Sequence, residues 1–329
     1  MQPFALRRPA TLDEAVALLG ADPRARVLAG GTDLVPNLRR GIEQPSALID
    51  LALVAGIADV RFDPQGLTLG AGVRLGRLSD DAQIVRQFRA LAEAAQAIAG
   101  PGHRSAATLG GNLCLDTRCV FYNQSAWWRA ANDFCLKRGG TTCHVAPQGA
   151  HCHAAFSGDL APALLAFDAQ VDVVSTRGTR RVPLVDLYRD DGAAHLQLAR
   201  DELVARVWVP PPASHCVSGY RKARVRAALD FPLAGVALAL VLRDGALTHL
   251  RVALTGVNSQ PIVLEGTRAL LGQPVTDRST AALGRLVQKQ VSPMRTTVTA
   301  SNHRRLVAAA LAQRLLRELA QDGLPASTP

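Results

Sequence analysis

Short apolar runs punctuated by glycine and proline fill the first two-thirds of the chain, and alanine- and leucine-rich periodic stretches fill the end. Thr11-Leu12-Asp13-Glu14 reads as a capping box that opens a helix to Leu19, closed by Gly20. Arg26 to Leu28 is a short strand, followed by the tight turn Ala29-Gly30-Gly31-Thr32-Asp33. Ser46 to Leu51 and Gly66 to Val73 are further strands, and Ser79 to Ala99 has a helical period ending at Gly100-Pro101-Gly102. A short helix over Ala161 to Phe167, capped by Asp159, leads into a hairpin, Gln170 to Ser175 and Arg180 to Val182, around Arg177-Gly178. Glu202 to Val209 is a strand stopped by Pro210, Pro211 and Pro212.

The triple proline marks a domain boundary. Beyond it Val217 to Val225, Leu233 to Leu242 and Leu247 to Leu254 form a three-stranded meander, with Asp244-Gly245 as a hairpin turn. Helices are expected over Val263 to Leu271, Thr280 to Gln290 and Ser301 to Leu319, with a frayed tail from Asp322. The reading is α+β, with residues 1–213 as one domain, 214–322 as a second, and 323–329 as tail.

Apolar content of 48% and charged content of 19% describe a globular chain. The longest nearly apolar run, Phe231 to Leu242, is too short to span a bilayer, and no apolar stretch follows Arg7 and Arg8, so no membrane segment or signal peptide is read and the cytoplasm is expected. The net charge of +10 comes from 34 arginines and 3 lysines spread along the chain. A dispersed basic surface without interleaved aromatics argues against a nucleic-acid partner and suits an acidic partner surface or an acidic coenzyme-type substrate.

A strand running into Gly-Gly brings backbone amides to a point and suits a pyrophosphate; alternatively the pair only supplies a turn. Gly30-Gly31 and Gly110-Gly111 both have this form, and neither is the G-x-G-x-x-G dinucleotide fingerprint. Taken in order, Leu28-Ala-Gly-Gly-Thr-Asp-Leu-Val35, Thr108-Leu-Gly-Gly-Asn-Leu113 and Asp159-Leu-Ala-Pro162 resemble the FAD-binding medium subunit of the xanthine dehydrogenase and CO dehydrogenase family, over nearly the whole chain. The resemblance implies a p-cresol-methylhydroxylase-type FAD-binding fold rather than a Rossmann fold. It implies that Leu28, Ala29, Gly30, Gly31, Thr32, Asp33, Leu34 and Val35, with Thr108, Leu109, Gly110, Gly111 and Asn112, cradle the FAD diphosphate. It further implies that Asp159 holds a polar part of the cofactor and that Ile98, Val204 and Lys222 sit near the flavin.

Asn112 and Asp159 are 47 positions apart, against about ten residues between these motifs in the family, so roughly 38 residues are inserted at about 115–156. The insertion holds Cys119, Cys135, Cys143 and Cys152 among Phe121, Tyr122, Trp127, Trp128, Phe134 and Phe156. A loop this long needs a tie, and metal ligation supplies folding free energy where a core cannot. The spacing has no C-x2-C pair, and His144, His151 and His153 stand nearby, so iron–sulfur, zinc and unliganded thiols all remain open on residue types alone. Cys114 is ambiguous, and Cys216 reads as a small core residue.

A flavin motif beside the thiols favours a redox group. The insertion is similar to that of the flavoprotein subunit of 4-hydroxybenzoyl-CoA reductase, which implies a 4Fe–4S cluster on the four cysteines. The same resemblance implies a ferredoxin-like electron donor, a large molybdopterin-binding subunit and a small 2Fe–2S subunit as partners in a dimer of heterotrimers, and reductive dehydroxylation by the assembly. No catalytic residue is assigned to this chain, which should not perform the substrate step alone. The alternatives are the FAD subunit of an oxidative aromatic, purine or CO hydroxylase with a zinc-stabilised insertion, and a non-enzymatic metal-binding scaffold.

Overall fold

The computed structural model describes residues 2–226, 229–296 and 298–323. β1 (Ala5–Arg7), β2 (Arg26–Leu28) and β3 (Ala47–Asp50) form a small parallel sheet in the order β1-β3-β2. β4 (Val60–Asp63), β5 (Gly66–Gly70), β6 (Gln170–Ser175), β7 (Gly178–Pro183) and β8 (Leu203–Val209) form an antiparallel sheet in the order β4-β5-β8-β6-β7. The third sheet, β12-β11-β10-β9, comprises β9 (Val217–Ala223), β10 (Ala234–Arg243), β11 (Ala246–Thr255) and β12 (Ile262–Val263). The α+β reading holds, and the meander gains a fourth, two-residue strand.

β10 explains how the third sheet joins the rest. Its Val236, Leu238 and Leu240 pack with the helices Asp277–Gln290 and Ser301–Asp322, while Ala237 and Ala239 on the other face enter the core of the first two sheets. Burial on both faces accounts for the unbroken apolar run in this strand. The joint is also polar: Glu93, on the helix Arg89–Gln96, accepts from the Tyr220 amide at 2.7 Å and from Arg221 at 3.0 Å. β10 and β11 turn at Asp244 (φ 49°) and Gly245 (φ 77°), the two positive angles that the Asp-Gly signal predicts.

Three expectations are corrected. The single helix over Ser79 to Ala99 is three short helices, Leu75–Asp80, Ala82–Gln87 and Arg89–Gln96. Asp81 leaves helical geometry and its Oδ1 accepts from the Gln83 and Ile84 amides, so a side-chain cap outcompetes continuation. The helix expected over Val263 to Leu271 is β12, then a left-handed Gly266 and the 3-10 turn Thr267–Leu270. Asp159 does not cap the helix Leu160–Leu165; its carboxylate is engaged elsewhere. The tail from residue 324 lies outside the described residues.

Candidate functional site

A cleft of about 1050 Å³ opens where the first two sheets meet β9. Of the residues the sequence nominated, Ala29, Gly30, Gly31, Thr32, Asp33, Leu34, Ile98, Thr108, Gly110, Gly111, Asn112, Asp159, Val204 and Lys222 all line it. Leu28, Val35 and Leu109 do not. Leu28 and Val35 flank Gly31, whose added Cβ would lie 3.3 and 3.2 Å from them, and Leu109 is fully buried.

The two glycine loops differ in what they offer a ligand. Between Gly30 and Asp33 no backbone amide finds an acceptor among the described residues, and Gly31 has φ +71°. This loop presents donors to an anion. A Cβ on Gly30 would lie 2.2 Å from the Ala106 carbonyl oxygen, so this glycine is required by the crossing of the two loops. The amides of the second loop are spent internally: Leu109 donates to Val73, Gly110 to Ala71 at 2.7 Å, Gly111 to the Thr108 hydroxyl and Asn112 to the Thr108 carbonyl. Gly110 and Gly111 are helical rather than at positive φ, and a Cβ on Gly110 would collide with Ala71. The expected pair of amide cradles is thus one cradle and one packing joint. Asn112 serves the joint too, its Oδ1 accepting from the Leu160 amide at 3.0 Å.

Gly31→Val tests this division. A β-branched residue at φ +71°, wedged against Leu28 and Val35, is strained by about 1–3 kcal/mol and displaces the amides that face the cleft. The expected outcome is loss of flavin absorbance after gel filtration; full retention would show that the loop does not hold the cofactor.

Deeper in the cleft, Lys222 reaches from β9 to Asp159, Nζ to Oδ2 2.9 Å, with both side chains 4% exposed. The Tyr220 hydroxyl donates to Asp159 Oδ1 at 2.5 Å, and Lys222 also donates to the Ala97 carbonyl at 3.3 Å. Burial pushes the Asp159 carboxyl above its ordinary range, opposed by the Lys222 charge and the Tyr220 hydrogen bond. Gly235 makes the contact possible, since a Cβ there would lie 2.2 Å from the Tyr220 hydroxyl oxygen. One charged pair and one phenol therefore tie the third sheet to the cleft.

The insertion closes on itself through an antiparallel bridge, Arg118 to Ala155, with both hydrogen bonds formed at 3.0 and 2.9 Å. Tyr122 is its centre: Arg129 donates to the Tyr122 carbonyl at 2.8 Å, and Arg138 to the phenol oxygen at 2.9 Å. Cys119, Cys135, Cys143 and Cys152 are all buried and converge on a void of about 10 Å³, walled by Phe121, Tyr122, Leu136, Lys137, His144 and Val145. The Tyr122 amide donates to Cys119 Sγ at 3.3 Å and the His153 amide to Cys143 Sγ at 3.5 Å. Cys152 donates to Cys143, and that bond with the backbone amides around it holds the Cys143 thiol down to about 5. The Cys143 setting favours a thiolate, whereas the Cys119 thiol is pushed up by burial and the Cys152 thiol by its bond to Cys143 and by burial.

Four thiols are a donor type that metals take, but they do not stand in the arrangement of a closed site. Among the described residues no three His, Cys, Asp or Glu side chains are arranged to hold an ion. The void has room for about one water-sized atom, less than four irons and four sulfides need, so a cluster requires the sulfurs to spread. Cys114 faces the large cleft and does not line the void between the other four thiols, which places it outside the ligand set; burial pushes its thiol up to about 12.

Sequence reading missed that the insertion also lines the large cleft, through Asp116, Tyr122, Lys137 and Arg138, joined by the buried His195 from a distant loop. The one local signal was a lysine two positions after Cys135 in a chain with three lysines against 34 arginines.

A family model described as the FAD binding domain in molybdopterin dehydrogenase matches residues 2–212. A second, described as the CO dehydrogenase flavoprotein C-terminal domain, matches residues 218–319. The chain is 34% identical over 285 residues to the aldehyde oxidoreductase FAD-binding subunit PaoB of Escherichia coli (strain K12), covering 83% of this chain and 87% of that one. It is 27% identical over 282 residues to the carbon monoxide dehydrogenase medium chain of Hydrogenophaga pseudoflava, covering 85% and 84%. A solved structure of carbon monoxide dehydrogenase from Hydrogenophaga pseudoflava shares the fold at a TM-score of 0.81 and 23% identity, over 99% of this chain and 100% of the matched one.

Proposed function

The chain belongs to the family of FAD-binding subunits of molybdopterin dehydrogenases, and we propose that it carries electrons, through FAD in the cleft, for an oxidative hydroxylase of that family. The observation that carries the reading is that three motifs far apart in sequence line one cleft beside a buried charged pair. FAD fits: a loop of free amides faces the cleft, and the volume is ample. Gly30 to Asp33 would take the diphosphate, Asp159 and Lys222 a polar part of the cofactor, and Ile98 and Val204 its apolar surface. When bound, a flavin supplies two-electron storage with single-electron release. The chain's own residues bind it, orient it and exclude water.

The reductive dehydroxylation and ferredoxin-like donor expected from the insertion find less support than the oxidative alternative. The relatives named above are an aldehyde oxidoreductase and a carbon monoxide dehydrogenase. The higher identity, 34%, supports an aldehyde as the substrate class of the assembled enzyme. The large molybdopterin subunit and small 2Fe–2S subunit belong to this proposal, as do the dimer of heterotrimers and the cytoplasm. Among the described residues no helix is long and apolar enough to cross a membrane.

The four cysteines are proposed to bind a 4Fe–4S cluster. Four convergent buried thiols support it, as does their position one side chain from the flavin cleft, where a redox centre has a partner and a zinc ion has none. The test is the chain copurified with its partner subunits and assayed in both directions. Aldehyde oxidation with an artificial acceptor and flavin bands are expected from the complex, and iron from this chain purified alone; reductive dehydroxylation alone would return the reading to the reductive branch, and absence of flavin would refute it.

A further inference from the structure

Tyr122 and Lys137 line both the large cleft and the void between the thiols. One layer of side chains separates the two spaces. The Lys137 ammonium stands 4.8 Å from the Tyr122 ring centroid and donates to Asp116 Oδ1 at 2.7 Å, the Thr117 carbonyl at 2.9 Å and the Gly192 carbonyl at 2.8 Å. Its side chain is 8% exposed. Arg118, Arg129 and Arg138 also face the Tyr122 ring, at 4.8, 5.8 and 5.1 Å, so four cations surround it against the carboxylates of Asp116 and Glu43. Two of the chain's three lysines, Lys137 and Lys222, line the cleft. A lysine is a compact point charge, whereas arginine spreads its charge over a plane.

We propose that Lys137, held over Tyr122, is a potential-setting residue: its ammonium in the shared wall favours the reduced, more negative form of the flavin in the cleft. The proposal rests on FAD occupying the cleft and is independent of what the thiols bind. A charge in a low-dielectric wall acts over several ångströms more strongly than one in water. The phenol stays neutral, because burial and Asp116 raise its pKa, so the ring adds no negative charge beside the ammonium.

The test is a redox titration of the flavin in the full chain carrying FAD, in Lys137→Met, Lys137→Arg and Asp116→Asn. Lys137→Met should lower the midpoint potential, with a tenfold or larger shift in the oxidised-to-reduced ratio at fixed poise, about 30 mV for a two-electron couple. Lys137→Arg should keep it near the parent value. Asp116→Asn, which removes the counter-charge, should raise it, and it decides the matter should Lys137→Met lose FAD. Unchanged potentials with FAD bound overturn the proposal. Failure of the cleft assignment reads differently, as absence of flavin in the parent chain, and failure of the thiol assignment as absence of metal.

Discussion

Lys222→Met is expected to destabilise the chain by about 3–5 kcal/mol at neutral pH and to deplete it of FAD, because it leaves the Asp159 carboxylate buried without a counter-charge. The remaining Tyr220 hydrogen bond satisfies one oxygen but carries no charge. With burial already raising the Asp159 pKa and the opposing lysine gone, the pKa rises further in the variant. A carboxyl whose folded pKa lies above its unfolded value favours folding most at pH values below the unfolded one. That contribution is lost as pH rises through the raised folded pKa. The deficit of Lys222→Met should therefore be smallest in acid and grow toward neutral pH. Urea unfolding at two pH values measures this, and Asp159→Asn in the same background should recover much of the loss by removing the charge. A deficit that is flat with pH and unrelieved by Asp159→Asn would mean that the lysine acts through packing alone.

The same pair marks where the sequence is legible and where it is not. The motif order around Gly30, Gly111 and Asp159 predicts one cleft, and the structure has it. Local signals also survive: the Asp244-Gly245 turn and the hairpin after Gln170 depend on a few adjacent residues. What fails is anything decided across the chain. Asp159 stands where an N-cap belongs, yet its oxygens go to Tyr220 and Lys222, more than sixty positions later. Gly30 and Gly110 look alike as turn glycines, but one is fixed by the Ala106 carbonyl and the other by Ala71. β1 has three residues, two of them exposed, and β4 only four, too few for alternation to stand out. The wall made by Tyr122 and Lys137 had no local signature beyond the rare lysine itself, because it forms only when the closed insertion folds back on the cleft.

Cys135→Ser should remove iron from the chain while leaving FAD in place. Serine is a poor substitute for thiolate, and a site built from four cysteines has no spare thiolate, since Cys114 faces the other cavity. Iron and acid-labile sulfide, about four of each per chain in the parent, should fall to a minor fraction. The flavin survives because its proposed contacts lie on separate elements: the amides of Gly30 to Asp33, and Asp159 with Lys222. The insertion's ends remain joined by the Arg118 and Ala155 bridge, and Tyr122 keeps its bonds from Arg129 and Arg138, so loss of the metal need not unfold the neighbouring lobe. Cys114→Ser is the matched control and should keep both groups. Zinc in place of iron in the parent chain would replace the redox reading of the insertion with a structural one. Parent-level iron in Cys135→Ser would remove this cysteine from the ligand set. Coincident loss of iron and FAD would show that the thiol site and the cleft fold as one unit, which the wall they share makes the informative alternative.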